Sequence, residues 1–302
     1  MNKLRPLLFA IILFSLFSCE KEYSSENTDN TGSDLIIGLN CRISKMVYID
    51  TSGTAAGGRG TGLGSIEAAI NSLDIVTRIT QFDSLSNTIE FISAPVYSND
   101  TVYIDADQYF VVDANKRISK LHGLSDPTDP FSLQFDVFYV YNTAGYLVTK
   151  NYFFTLSPTT PFYKVDYTYA GANLTHMAAV NLPGGDLQMD ADIDYFTQIV
   201  PKRFIYIFPD EIFYSQFNQF FNFGLKNFNA VKKMKVRMYD PGNVVRDSAV
   251  STFSNYIMSR DNYVLSVQMG NPLPAATPPL TPSPQPSIPA LAGKLSFSYH
   301  CR

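Results

Sequence analysis

The chain has 302 residues, 45% of them hydrophobic and 17% charged, with 23 Phe, 19 Tyr and no Trp. That composition excludes a disordered or collagen-like chain and is sufficient for a large core in one or two domains. With 23 Lys and Arg against 27 Asp and Glu, and the signs interspersed, no basic field exists to gather a nucleic-acid backbone.

The N-terminus places Lys3 and Arg5 before a twelve-residue apolar run, Leu7 to Ser18, which ends at Cys19. A basic start, an apolar run too short to span a bilayer and a small residue before Cys predict a lipoprotein signal over residues 1–18. The LFSC box resembles that of diacylated bacterial lipoproteins. The resemblance implies cleavage before Cys19, lipid on its sulfur and stable outer-membrane attachment. Residues 20–34, EKEYSSENTDNTGSD, hold a single aromatic and no periodicity, so residues 19–34 read as lipidated Cys and flexible tether. The acids around Lys21 are similar to surface-export signals of Bacteroidota lipoproteins, which favours the cell surface over the periplasmic face.

Residues 35–302 alternate apolar and polar positions in short segments, the pattern of half-buried antiparallel strands. Lys233, Lys235 and Arg237 interleave with Met234, Val236 and Met238; Lys164, Asp166 and Thr168 interleave with Val165, Tyr167 and Tyr169. A turn frame recurs in FVVDANKRISKL from Phe110, YVYNTAGYLVTK from Tyr139, VRMYDPGNVVRDS from Val236 and NYIMSRDNYVLSV from Asn255. FDSLSNTIEFI from Phe82 and YTYAGANLTHM from Tyr167 are looser copies. Gly145, Asn87, Asn173, Asn243 and Asn262 fill the slot that calls for left-handed backbone, with Lys116 the exception. Asp113, Asn142 and Asp240 stand where a side-chain oxygen can bond the turn amides. The spacing predicts an all-β fold: an antiparallel meander of about 14–16 strands, strongly curved or closed into a barrel-like body.

The lipobox, Cys41 in CRISKMVYID, the repeated YxY(D/N)xxG(x)L hairpins and a last strand ending in Cys301 look like a family of Bacteroidota lipoproteins. Its members carry a domain of unknown function with a porin-like, many-stranded sheet, distantly similar to the YD repeats of Rhs proteins. The resemblance implies fold and compartment, and brings no activity with it.

Three segments interrupt the strands. TSGTAAGGRGTGLGS, Thr51 to Ser65, lacks both phosphate-loop patterns and reads as a hairpin loop, and the following SIEAAINSL suggests a turn or two of helix. In EIFYSQFNQFFNF, Phe213, Phe217, Phe220 and Phe221 fall on one helical face, with Asp210 as N-cap and Gly224 at the C-terminal end. This predicts a short aromatic helix near 210–223, either covering an end of the sheet or acting as a plug or lid over a ligand cavity. Residues 271–290 hold eight of the 18 prolines and predict an extended loop between the last two strands.

The search for chemistry yields little. His122, His176 and His300 are far apart and lack metal-ligand context, and Asp190, Asp192 and Asp194 lack the Gly and Glu of a calcium loop, so no metal and no cofactor is expected. No nucleophile elbow occurs. Ser84, Thr101 and Ser248 follow Asp and precede an apolar residue, resembling O-glycosylation sites of exported Bacteroidota proteins. The expected function is a monomeric, lipid-anchored envelope protein, non-catalytic, binding a protein or glycan partner. The alternative is an envelope hydrolase using Asp190 and Asp194. Export also sets the fate of Cys41 and Cys301: in an oxidising compartment an even pair forms a bridge, which requires the first and last strands to meet.

Overall fold

The structure, a computed structural model, describes residues 41–50, 63–83, 88–124, 133–210, 217–270 and 292–301. Its strands are β1 (Cys41–Asp50), β2 (Leu63–Ile70), β3 (Val76–Asp83), β4 (Thr88–Ser93), β5 (Val96–Ser98) and β6 (Thr101–Tyr103). They continue as β7 (Tyr109–Val112), β8 (Ile118–Leu124), β9 (Gln134–Tyr141), β10 (Leu147–Phe154), β11 (Tyr163–Ala170) and β12 (Asn173–Asn181). The last five are β13 (Leu187–Tyr195), β14 (Val231–Asp240), β15 (Val244–Met258), β16 (Val264–Gly270) and β17 (Ala292–Cys301). The signal, the tether, Cys19, Ser84, Asn87 and the proline-rich 271–290 lie outside the described residues.

All 17 strands belong to one antiparallel sheet, a meander in which neighbours in sequence pair. The meander curls until β1 pairs with β17, Cys41 facing Cys301 across the ladder. It is not closed into a continuous barrel. At Ala94 and Pro95 the chain bends, β4 pairing with β3 while β5 pairs with β6; proline cannot donate to a ladder. The count slightly exceeds the expected 14–16 because this bend divides β4 from β5 and because SIEAAINSL contributes a strand. Ile66 and Ala68 of β2 are buried while Glu67 and Ala69 are exposed, a period of two. The expected helix there is therefore overturned, because pairing with β1 and β3 prevails over local helix propensity.

The buried set lies on one face of the sheet: Met234, Val236 and Met238 of β14, Val165 and Tyr167 of β11, Met177 and Ala179 of β12. The other face carries Lys45 with Glu67 at 2.9 Å, Lys164 with Asp166 at 2.8 Å, and Arg237 with Asp192 at 2.9 Å. Apolar side chains of these strands therefore point into the curl and their charges point to water, Lys150 of β10 being a charge on the inner face.

Turn chemistry follows the sequence frame closely. Lys116, Gly145, Asn243 and Asn262 all have positive φ. Lys116 is tolerated without a glycine because the Asp113 carboxylate accepts from the amides of Asn115 and Arg117, clamping the turn. Asn142 does the same for Gly145 and Tyr146. Two expectations fail. In the β11–β12 turn the left-handed residue is Gly171, which frees Asn173 for another role; Asp240 faces Arg246 at 3.9 Å, and no turn amide is bonded to it.

A second device repeats at the end of the sheet that carries these turns. Tyr141, Tyr195, Tyr256 and Tyr299, near the ends of β9, β13, β15 and β17, each donate a phenol hydrogen bond to a carbonyl at the start of the preceding strand: Ile118, Leu174, Val231 and Val264. Their burial raises every one of these phenols above the ordinary range. Four strands are thus fastened to the one before by a tyrosine, of which Tyr141 stands in the YxY turn frame, while Tyr239 of the copy from Val236 bonds Asp190 instead.

Cys41 and Cys301 form a disulfide with their Cα atoms 4.0 Å apart, closing a loop across 260 positions. The bridge acts where the sheet's two ends would otherwise separate. Cys301→Ser should lower stability by about 2–5 kcal/mol, read as a shift in the urea midpoint. An unchanged midpoint would mean that the β1–β17 ladder holds the seam unaided.

Candidate functional site

Between β13 and β14 the described residues, 196–210 and 217–230, leave the sheet. Phe204, Ile205, Tyr206, Ile207 and Phe208 are all buried and join the single core cluster that strands from around the curl contribute to. Phe220 and Phe223 return through the same core. This segment is an internal plug. Of the expected aromatic helix, the described part is only a 3₁₀ turn at Phe217–Phe220, and residues 211–216 lie outside the described residues.

Polar side chains replace the ladder that such backbone would otherwise lack. Gln219 bonds both the amide and the carbonyl of Tyr206, imitating a strand partner. The Tyr206 hydroxyl donates to Gly224 O and accepts from Phe223 N. Asn173, released from its turn, accepts from the amides of Phe228 and Asn229. The hairpin tips are partners too: Leu225 N donates to Gly145 O, Phe228 N to Ala172 O, and Lys202 N to Asn262 O. Gly224 is required by crowding as well as by its positive φ, since a Cβ there would lie 2.3 Å from Gly145 O. The plug therefore stops the end of the curl that holds Cys41, Cys301 and these turns.

Its deepest point is polar. The Asp210 Oδ2 lies 2.9 Å from Lys150 Nζ, its Oδ1 accepts from the Tyr167 hydroxyl at 2.6 Å, and both charged side chains are buried; the residues that it is expected to cap lie outside the described ones. The Lys150 ammonium also stands 4.5 Å from the centre of the Phe208 ring. Burial and the Asp210 charge together raise the nearby Tyr163 phenol. The sequence signal for this site is a lysine in the core-facing set of YLVTKNYFF, where alternation calls for an apolar residue. Sealed from water and fully paired, the constellation pins the plug to β10 and β11.

The residues singled out in the sequence occupy the outer face, where Arg237 and Asp192 link Asp190 and His176 into one patch. Asp190 accepts two hydrogen bonds from Arg237 and one from Tyr239. Asp192 meets His176 and Arg237; burial opposes its ionisation, but the His176 hydrogen bond and the Arg237 charge hold its carboxyl below the usual range. Asp190 and Asp194 are four residues apart on one strand, hence about 14 Å. Glycosidases need their two carboxylates within about 5–9.5 Å. His122 belongs to a different patch, bonded to Asp136 at 2.8 Å. Thr101 opens β6 beside Asp100, and Ser248 is exposed on β15.

One outer rung stands out among the described residues. Tyr103, Tyr109, His122, Asp136 and Phe153 face one another across five consecutive strands. Tyr109 and His122 stack at 4.9 Å, Lys120 joins Asp136 at 3.0 Å, and Phe138 packs edge-on against Phe153 at 5.4 Å. Tyr103, Phe138 and Val140 remain about two-fifths exposed. A sheet face with aromatic, cationic and anionic groups interleaved suits partner contact.

No family model matches the chain, and no curated sequence matches it significantly. Its fold is similar to two crystal structures. One is a porin-like protein from Bacteroides uniformis, 9% identical, with TM-score 0.57 over 85% of this chain and 98% of that one. The other is a porin-like protein from Bacteroides vulgatus, 12% identical, with TM-score 0.51 over 86% of this chain and 99% of that one. The likeness establishes a porin-like, many-stranded antiparallel fold.

Lys150→Met should destabilise the fold by about 3–5 kcal/mol, because Asp210 then stays charged and buried without its cation. Tyr167→Phe should cost about 1–2 kcal/mol. Urea unfolding followed by tyrosine fluorescence measures both, and a cost for Lys150→Met no larger than that of Tyr167→Phe would contradict the pin.

Proposed function

We propose that the protein is a lipid-anchored cell-envelope protein, held at the outer membrane through Cys19 with its β domain in water, that binds a protein or glycan partner without catalysis. The observation that carries this reading is the polarity of the sheet. A transmembrane barrel turns an apolar band toward lipid and a polar lining inward. Here the ion pairs of β1, β2, β11, β13 and β14 stand on the outer face, and a plugged apolar core fills the interior. Such a sheet cannot embed itself, so attachment falls to the N-terminal signal and Cys19. The outward direction of its charges also agrees with exposure at the cell surface.

The binding assignment draws on the outer rung from Tyr103 to Phe153, where exposed aromatic edges surround satisfied ion pairs. The hydrolase alternative is weaker, because Asp190 is committed to Arg237 and Tyr239 and lies too far along the strand from Asp194. Fractionation of cells producing Cys19→Ser protein tests the anchor. The variant should leave the membrane fraction in salt buffer without detergent, while the parent requires detergent. A variant that still needs detergent would sink the reading.

A further inference from the structure

In an antiparallel meander alternate turns lie at the same end, and at the plugged end contacts tie them together. The chain enters β1 at Cys41 and leaves β17 at Cys301 there, the two facing each other. The turns β2–β3, β7–β8, β9–β10, β11–β12 and β15–β16 share that end with the plug. Arg42 donates to Asp74 O and Phe220 O, Asn222 Nδ2 to Lys116 O, Leu225 N to Gly145 O, Phe228 N to Ala172 O and Lys202 N to Asn262 O.

Several apolar side chains of these turns stay outside the core. Leu73 of the β2–β3 turn is 71% exposed, while Leu225 and Phe228, held at Gly145 and Ala172, are 50% and 55% exposed. The charge of the same end is positive. Arg42 meets Asp74 at 3.4 Å and Arg117 meets Asp113 at 2.7 Å. Beyond these pairs, the turns and the plug's rim hold Lys116, Lys202, Arg203, Lys226 and Arg260 against Asp100 and Asp261. Burial lowers Lys226 to about 7, so it adds only part of a charge at neutral pH. The opposite end also exposes apolar residues, Leu156, Val244 and Val245. Its described turns, 104–108, 155–162, 182–186 and 241–243, hold Asp105, Asp107 and Asp186 and no cation. The chain as a whole carries a net charge of −4, so the positive end is no by-product of a basic composition.

Apolar side chains at turn tips, set among cations, have the chemistry of a peripheral contact with an anionic bilayer: the apolar groups enter the boundary between headgroups and acyl chains, and the cations stay with the headgroup phosphates. Residues 20–40 join Cys19 to the sheet at Cys41, so the end with this chemistry is the one that an anchor at Cys19 draws to the membrane. We propose, on the anchored reading above, that the plugged end rests on an anionic lipid surface. Leu73, Leu225 and Phe228 enter the headgroup boundary, and Lys116, Arg203 and Arg260, all exposed, meet phosphates. The sides of the sheet stay in water, and the acidic end points away from the bilayer.

The chain has no tryptophan, so one introduced residue reports contact in the lipidated protein reconstituted into vesicles of phosphatidylglycerol and phosphatidylcholine with brominated acyl chains. Phe228→Trp should be quenched there relative to unbrominated vesicles, Leu156→Trp at the opposite end should not, and quenching should fall when phosphatidylglycerol is omitted. Lys116 and Arg203 both have positive φ, which Asn tolerates. Adding Lys116→Asn with Arg203→Asn should weaken docking roughly 25-fold, at about fivefold per cation near an anionic surface, and restore the emission. Leu225→Trp is the second reporter if Phe228→Trp does not fold. Flotation of the vesicles separates this docking from the anchor. Protein that does not float lacks the anchor, and the docking falls with it. Protein that floats with Phe228→Trp and Leu156→Trp equally unquenched keeps the anchor and overturns the docking. A Phe228→Trp reporter shielded from iodide yet unquenched by brominated lipid, in protein that sediments as a dimer, would overturn it too by assigning this end to a second copy.

Discussion

The structure depends on one constraint, the inward direction of a very wide sheet's apolar face. Most strands of the meander alternate, so the sheet has one face to hide, and curling brings β1 to β17 where the disulfide ties them. A curl of this many strands encloses more space than its own side chains fill. Transmembrane barrels leave that space to water. Here the lining is apolar, so the space must be filled by chain, and residues 204–208 with Phe220 and Phe223 fill it.

From that filling follows the placement of nearly every unusual polar group. A plug without a ladder needs partners for its amides and carbonyls, and they come from Gln219, Asn173, the Tyr206 hydroxyl and the hairpin tips. The Lys150–Asp210 pair is the extreme case. Its desolvation costs energy, and fixing the plug in one position is the specificity that such a buried pair gives. Conversely, the outer face has no packing duty. Its aromatic rung and ion pairs are free to serve recognition, while the tyrosine clasps hold the hairpins beneath them in register.

The all-β class, the one-sided strands and the turn positions were legible because they are local. Period-two alternation and the left-handed slots at Gly145, Asn243 and Asn262 need only a few neighbouring residues to express themselves. Even the Lys116 exception kept its turn, the Asp113 fork supplying what glycine would have. Cysteine parity, with Cys19 read as lipidated, pointed to Cys41 and Cys301 without any knowledge of the sheet. Local reading failed where a residue serves a distant partner. SIEAAINSL has helical composition but lies between two strands, Asp210 has a capping residue's position but meets Lys150 across 60 positions, and Asn173 matches a turn slot but bonds the plug.

The sequence by itself determined a large chain of alternating strands and pointed to a bridge between its ends, because composition, periodicity and turn chemistry act over short range. Tertiary structure alone decided that the aromatic insert enters the curl, that the ion pairs of β1, β2, β11, β13 and β14 stay outside, and that Lys150 meets Asp210 inside. Those outcomes depend on volume and on charge contacts between residues far apart in the chain. Neither quantity is written in any short stretch of residues.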